Sequence, residues 1–168
     1  MDAITHCCET FMSSALNFPA EGIALDGLWR GWRHIERATK TPHDREARFH
    51  MMSASTQGAM AFQKGLGAVH SLSHALGGMN PKLHHGTLNA MFLPAVILFN
   101  ASEASMQKGK KLERMAETMG LNDAAEVVTL FGASGASGTI AYDVTTQSVL
   151  FYTAVSTGNF IINLRASS

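Results

Sequence analysis

The sequence predicts an all-α fold, a bundle of several helices, for residues 1–128. Apolar residues in this region recur every three or four positions, which is the spacing of one helix face. Prolines and glycines separate the segments that carry this spacing, and these residues end or break helices. The full chain of 168 residues is long enough for one domain with a substantial core.

The first helix is predicted to begin at the N-terminus itself. Ile4, Cys7 and Phe11 are among its apolar positions. No capping residue or lead-in segment precedes it, and residues 17–19, which include a proline, end it. A buried helix that starts on the first residue predicts a chain that begins in the middle of a larger protein.

Two long helices are predicted next. The second spans residues 20–39, and the third runs from a capping Thr41 to about Lys64, where Gly65 and Gly67 break it. The apolar stripe of the second helix is predicted to consist of Ile23, Leu25, Leu28, Trp29, Trp32 and Ile35.

Three further helices follow a histidine-rich stretch. Residues 87–100 predict a buried helix, and residues 102–119 predict an exposed amphipathic helix that Gly120 ends. Asn122 is predicted to cap a short helix that ends at Val128.

The tail, residues 129–168, has a different composition. A Gly- and Ser-rich run over residues 132–138 is typical of a linker. The residues after it favour strand by propensity, but a lone apolar segment without partner strands argues against that assignment. We therefore interpret the tail as a segment outside the helical domain, which is either divergent or the product of a changed reading frame.

The composition restricts the partners and the compartment. Hydrophobic residues make up 46% of the chain and charged residues 15%, which predicts an exposed apolar face and a homodimer formed through it. With zero net charge and no basic stripe, nucleic acid is not an expected partner. No apolar run is long enough for a membrane span. Adjacent Cys7 and Cys8 without a signal peptide favour a reducing, cytoplasmic setting.

Histidines predict a metal site. His70 and His74 share one helix face, Asp2 and His6 have the same four-residue spacing, and His85 follows after a loop. Burying such groups unpaired costs several kcal/mol, and a metal removes that cost. Three histidines and one carboxylate suit Fe(II) or Zn(II) better than Ca(II) or Mg(II).

The remaining histidines have other predicted roles. His74 is a fifth ligand or a proton carrier beside the metal, unless it is a hydrogen-bonded core histidine. His34, His43 and His50 lie among charged residues on a predicted exposed face, and no ligand role is assigned to them.

Three segments resemble a known family. They are residues 1–6 (MDAITH), 65–78 (GLGAVHSLSHALGG) and 85–94 (HGTLNAMFLP), and they resemble the iron-containing (group III) alcohol dehydrogenases. The resemblance extends over residues 1–128 and includes the order of the helices. It implies the helical, metal-binding C-terminal domain of that family, with a dehydroquinate-synthase-like fold.

The resemblance also implies a site and a reaction. The metal ligands would be Asp2, His6, His70 and His85, with His74 close to the metal and the nicotinamide and available for proton relay. Hydride would pass between NAD(P) and a small alcohol or aldehyde at iron or zinc.

Two adjacent histidines compete for the last ligand position. Counting back from Gly86 selects His85, whereas counting forward from His70 can select His84. His85 is preferred because Gly86 and Asn89 after it match the family motif.

The sequence departs from the family in two respects. We expect the N-terminal dinucleotide-binding domain to be absent, because no strand and Gly-rich turn for a pyrophosphate are found, and the run at 132–138 is no substitute. The tail after residue 129 does not resemble the helical end of the family. We therefore expect a truncated NAD(P)-dependent alcohol dehydrogenase, inactive alone because nothing holds the cofactor. The alternatives are a metal-dependent hydrolase and a non-catalytic metal-binding helical remnant.

Overall fold

A computed structural model describes residues 1–132, 138–143 and 160–165, with side chains described for residues 1–128. The helices are α1 (Asp2–Met12), α2 (Phe18–Lys40), α3 (Arg45–Met60), α4 (Ala68–Met79), α5 (His85–Asn100), α6 (Ala104–Lys108), α7 (Lys111–Met119) and α8 (Ala124–Gly132). A 3-10 turn, Ala61–Lys64, follows α3. The all-α prediction for residues 1–128 is confirmed.

Two strands lie in the tail. β1 (Gly138–Asp143) and β2 (Phe160–Arg165) pair in parallel, with Gly138 opposite Phe160. The lack of a partner argued against strands in this segment, and the structure corrects that argument because each strand is the partner of the other. The predicted linker at residues 132–138 lies largely outside the described residues.

Helix α1 is the central element of the helical part. Eight of its eleven residues are buried, among them Ile4, Cys7 and Phe11, each no more than 1% exposed. It packs against α2, α3 and α5. Because α1 is held on several sides, the polar side chains at its N-terminal end have fixed positions.

Small residues let α2 and α3 approach α1 closely. A Cβ added at Gly27 of α2 would lie 2.7 Å from Cys7 Sγ, and one added at Gly58 of α3 would lie 2.8 Å from His6 Cβ. The buried face of α2 is therefore built mainly from alanines and glycines around Leu28. The predicted wide apolar stripe is only partly correct, since Trp29 remains 37% exposed.

Several predicted helix ends need correction. Asp44, and not Thr41, caps α3, because its side chain accepts a hydrogen bond of 2.9 Å from Ala47 N. Likewise Asp123, and not Asn122, accepts from Glu126 N in the first turn of α8, which continues past residue 128 to Gly132.

The single helix predicted over residues 102–119 is two helices. Lys110 adopts a left-handed conformation (φ 46°) between α6 and α7. The next residue, Lys111, is buried and its Nζ donates to the carbonyls of Met12 and Ser13 at 3.1 and 2.6 Å. These two bonds occupy carbonyls at the C-terminal end of α1 that have no partner within the helix. Gly120 ends α7 with a positive φ, as predicted.

Large apolar side chains remain exposed on several helices and in the segment between α1 and α2. They include Leu16, Phe18, Phe49, Met52, Met79 and Phe99, each more than 60% exposed. The homodimer expected from the apolar composition stays a prediction. Among the described helices, none has the length and hydropathy that a membrane span requires.

Candidate metal centre

The four predicted ligands come together around one carboxylate oxygen. Asp2 Oδ1 lies 3.6 Å from His6 Nε2, 3.3 Å from His70 Nε2 and 3.4 Å from His85 Nε2. The three side chains reach Asp2 from α1, α4 and α5, so residues far apart in sequence form one cluster.

Helix ends position these side chains. Asp2 and His6 occupy successive turns at the start of α1. Gly67 begins α4, so that His70 lies in its first turn, and His85 is the first residue of α5. Three helix beginnings therefore meet at the cluster.

The structure distinguishes His84 from His85. The exposed His84 is the N-cap of α5, and its Nδ1 accepts a hydrogen bond of 3.3 Å from Thr87 N. His85, in contrast, directs Nε2 toward Asp2. Of the two, His85 is the one that the geometry brings into the cluster.

His74 lies at the edge of the cluster. Its ring centroid is 5.9 Å from that of His70 and 4.8 Å from that of His85. The side chain is exposed, so the interpretation of His74 as a buried core histidine is wrong. Its position is compatible with a proton carrier at the open side of the site.

Sequence reasoning missed Glu9. This carboxylate, only 2% exposed, accepts hydrogen bonds from Val69 N at 2.7 Å and from His70 Nδ1 at 2.5 Å. Gly67 passes so close that an added Cβ would lie 2.7 Å from Glu9 Oε1. Glu9 follows His6 by three positions, on the same face of α1, and that spacing was the available signal.

Asn89 was also missed as part of the cluster. It is fully buried, and its Nδ2 lies 2.6 Å from Asp2 Oδ1, 3.2 Å from His70 Nε2 and 3.1 Å from His85 Nε2. Its Oδ1 has no hydrogen-bond partner. The four-residue spacing from His85 predicts only that the two side chains share a helix face.

The electrostatics favour an ionised Asp2. Burial works to raise its pKa, but the hydrogen bond with His70 and the neighbouring histidines outweigh burial and lower the pKa to about 2. For His70, burial works to lower the pKa, but hydrogen bonds to Asp2 and Glu9 raise it to about 9. Burial lowers the pKa of both His6 and His85, which favours their neutral, ligating form.

The donor set fits a borderline divalent metal. Three imidazole nitrogens lie within 3.6 Å of one carboxylate oxygen, and one amide nitrogen, Asn89 Nδ2, lies within 3.2 Å of three of these atoms. The buried, unpartnered Asn89 Oδ1 shows that the polar groups are not fully satisfied by one another. Nitrogen-rich sites of this kind suit Fe(II) and Zn(II).

Comparison with known proteins identifies the family. A model of the Fe-containing alcohol dehydrogenase family, C-terminal region, matches residues 1–133. The chain belongs to the iron-containing alcohol dehydrogenase family. Its helical part corresponds to the C-terminal domain of that fold, as the resemblance implied.

Two relatives of known activity match the chain over part of their own length. The chain is 59% identical over 131 residues to 4-hydroxybutyrate dehydrogenase of Cupriavidus necator, covering 76% of this chain and 34% of the relative. It is 39% identical over 118 residues to alcohol dehydrogenase 4 of Saccharomyces cerevisiae (strain ATCC 204508 / S288c), covering 70% and 29%. The chain thus spans about a third of the length of these relatives.

Solved structures agree with this assignment. An iron-containing alcohol dehydrogenase from Corynebacterium glutamicum superposes with a TM-score of 0.65 at 25% identity, covering 77% of this chain and 35% of that one. One from Thermococcus thioreducens gives 0.63 at 26% identity, covering 76% and 32%. The helical bundle is therefore a fold that family members share.

Proposed function

We propose that this chain supplies the metal-binding part of an NAD(P)-dependent alcohol dehydrogenase that interconverts a small alcohol and its aldehyde. The observation that carries the proposal is the convergence of three histidine Nε2 atoms within 3.6 Å of Asp2 Oδ1. Membership of the iron-containing alcohol dehydrogenase family supports the reaction class.

In this proposal Asp2, His6, His70 and His85 hold Fe(II) or Zn(II). The bound metal supplies Lewis acidity, which polarises the oxygen of an alcohol or carbonyl. Asp2 contributes the negative charge, because its low pKa keeps it ionised. His6 and His85 contribute neutral imidazoles, because burial lowers their pKa.

Two residues outside the ligand set hold it in place. Glu9 accepts the Nδ1 proton of His70, so that Nε2 of the same ring faces Asp2. Asn89 donates to Asp2 Oδ1 and so orients the carboxylate between α1 and α5. Both are buried, so the cluster keeps its shape without solvent to support it.

His74 is proposed to carry the proton that leaves or joins the substrate oxygen. It is exposed and one turn from His70, between the cluster and solvent. An imidazole has one ring nitrogen that can accept a proton and one that can donate a proton, which suits it to this role.

Hydride transfer also needs a bound nicotinamide. We propose that NAD(P) is held by a separate dinucleotide-binding domain, and that residues 1–132 alone bind metal without catalysing hydride transfer. Cytoplasmic location is part of the proposal, since Cys7 and Cys8 are buried free thiols, which suit a reducing compartment.

The comparisons favour a dehydrogenase over a hydrolase or a non-catalytic remnant. The relatives include 4-hydroxybutyrate, 1,3-propanediol and methanol dehydrogenases, all acting by name on alcohols. For this chain, a small primary alcohol is therefore the proposed substrate class.

A domain exchange tests the proposal. The aligned stretch of this chain, 131 residues at 59% identity, would replace the matching third of the Cupriavidus necator relative. We expect the chimera to reduce NAD(P) with 4-hydroxybutyrate and to lose that activity when it carries His70→Ala. A folded, metal-loaded chimera without activity would favour the remnant, and chelator-sensitive ester hydrolysis would favour the hydrolase.

Glu9→Gln is expected to weaken metal affinity by about 10–100-fold, because supporting residues of metal-bound histidines have effects of that size. Glutamine keeps the volume of Glu9 and an acceptor oxygen for Val69 N, but it lacks the charge that orients His70. Zinc affinity measured by competition with a chromophoric chelator checks this. Helicity unchanged from wild type and a restored affinity in Glu9→Asp would separate positioning from folding. Unchanged affinity in Glu9→Gln would contradict the assigned role.

A further inference from the structure

A second group of metal-ligating side chains lies between α2 and α3. His34, Glu46 and His50 each bring a ligand atom within 4.8 Å of the others. These residues share nothing with the cluster around Asp2. We propose that they form a second divalent-metal site, which links α2 to α3.

The positions of the three residues would let one metal ion bridge α2 and α3. Glu46 and His50 are four apart on α3, so they lie one turn above each other on the same face. His34 faces them from α2, and α2 packs extensively against α3. One metal ion would therefore hold two adjacent helices together.

His34 has the hydrogen bond typical of a ligating histidine. The side chain was predicted to be exposed, but the residue is only 9% exposed. Its Nδ1 lies 2.9 Å from the carbonyl oxygen of Arg30, which accepts only, so Nδ1 carries the proton. The lone pair is then on Nε2, which can bind a metal. Metal-binding histidines typically donate their other ring N–H to a carbonyl or carboxylate in this way.

The ring geometry resembles that of the first cluster. The rings of His34 and His50 stack with centroids 3.9 Å apart and planes 15° apart. His6 and His70, which belong to the proposed catalytic site, stack at 4.4 Å and 14°. A small opening of the His34–His50 pair brings it to the spacing of the other pair.

His50 has its lone pair on Nδ1. Arg30 donates to this atom at 3.1 Å, so a metal would have to displace the guanidinium. That displacement leaves Arg30 paired, because its Nε also donates to Asp26 at 2.7 Å. The loss of the contact to His50 therefore does not leave the Arg30 guanidinium without an ion-pair partner.

Glu46 can leave its ion pair to bind a metal, because its partner Arg37 keeps another carboxylate. Arg37 donates to Glu46 at 2.8 Å, but it also donates twice to Asp44, at 2.9 and 2.7 Å. The Glu46 side chain is 66% exposed, so it can turn toward the two imidazoles at little cost in packing.

The donor set selects the class of ion. Two imidazoles and one carboxylate favour Zn(II), Ni(II) or Cu(II) over Ca(II) and Mg(II).

A tryptophan beside the site can report metal binding by its fluorescence. The Trp29 ring lies 6.2 Å from both the His34 and the His50 ring, and the chain has two tryptophans.

Titration of the full chain with Cu(II), followed by tryptophan fluorescence, tests the proposal. With the site around Asp2 blocked by His70→Ala, we expect saturable quenching by one equivalent, because paramagnetic Cu(II) bound to His34, Glu46 and His50 lies beside Trp29. Trp29→Phe should remove most of the quenching without removing the bound ion measured by calorimetry. His50→Gln and Glu46→Gln should each weaken the binding responsible by about tenfold or more.

The exposed His43, outside the cluster, provides the matched control, and His43→Gln should titrate like wild type. His70→Ala should keep the quenching even though it disrupts the other site, so a failure of the proposed catalytic site is distinguishable from a failure here. Absence of saturable quenching, or equal midpoints in wild type and His50→Gln, would overturn the proposal.

Discussion

His70→Ala is expected to abolish tight binding of iron or zinc at the proposed catalytic site. His70 is 2% exposed, places Nε2 3.3 Å from Asp2 Oδ1 and is held through Nδ1 by Glu9. Its removal takes away a ligand as well as the anchor between α1 and α4. The affinity loss should therefore exceed the roughly 10–100-fold typical of losing a supporting residue.

Metal retained after gel filtration, measured by elemental analysis, checks this expectation. His43→Ala is the control, because His43 is exposed and outside both clusters. Metal content as high in His70→Ala as in His43→Ala, with the second site blocked by His50→Gln in both, would contradict the ligand assignment.

Glu21→Ala is expected to lower the free energy of unfolding by about 3–5 kcal/mol, the cost of leaving a buried charge without its partner. Glu21 accepts hydrogen bonds from Lys64 Nζ at 2.7 Å and from Arg114 at 2.8 Å. The Lys64 side chain is completely buried, so it cannot turn to water when the carboxylate is gone. Urea unfolding followed by circular dichroism measures the change.

An exposed ion pair provides the matched control. Lys40 and Glu36 are four apart on α2 with side chains 72% and 66% exposed, so Glu36→Ala should lower the stability far less than Glu21→Ala does. Similar losses in Glu21→Ala and Glu36→Ala would show that burial does not decide the effect.

The buried ion pair between Glu21 and Lys64 also predicts a pH dependence of stability. Burial works to raise the pKa of Glu21, but hydrogen bonds from Lys64 and Arg114 outweigh it and lower the pKa below the ordinary 4.5. A carboxyl with a lowered folded-state pKa stabilises the fold above its unfolded pKa and loses this contribution as the pH falls through the folded one. Below about pH 4.5, wild type should therefore lose more stability than Glu21→Gln does.

Much of the metal cluster follows from short-range patterns. Asp2 and His6 of the first cluster are four residues apart, and so are Glu46 and His50 of the second cluster. Each pair therefore shares a helix face, and this spacing can be seen directly in the sequence. His85 was selected because Gly86 and Asn89 after it match the family motif, and the structure places it at the start of α5. What spacing alone does not determine is which of these pairs meet, because that depends on how the helices pack.

The residues missed by sequence reasoning act across helices. Glu9 is an isolated acid on an apolar helix, and its partner, the first turn of α4, is sixty residues away. His34 was predicted to be exposed because charged residues surround it in sequence, but it is only 9% exposed, on a helix that packs closely against α1 and α3 through Gly27 and Gly31. A helix face that packs through glycines lacks the large apolar residues from which burial is predicted in a sequence.

The most direct test of the metal centre is anomalous diffraction from crystals of the chain grown with iron or zinc and collected at the absorption edge of that metal. We predict an anomalous peak within bonding distance of Asp2, His6, His70 and His85, with Glu9 still bonded to His70 Nδ1. A metal-loaded crystal with no peak at these four residues would contradict the assignment of the site.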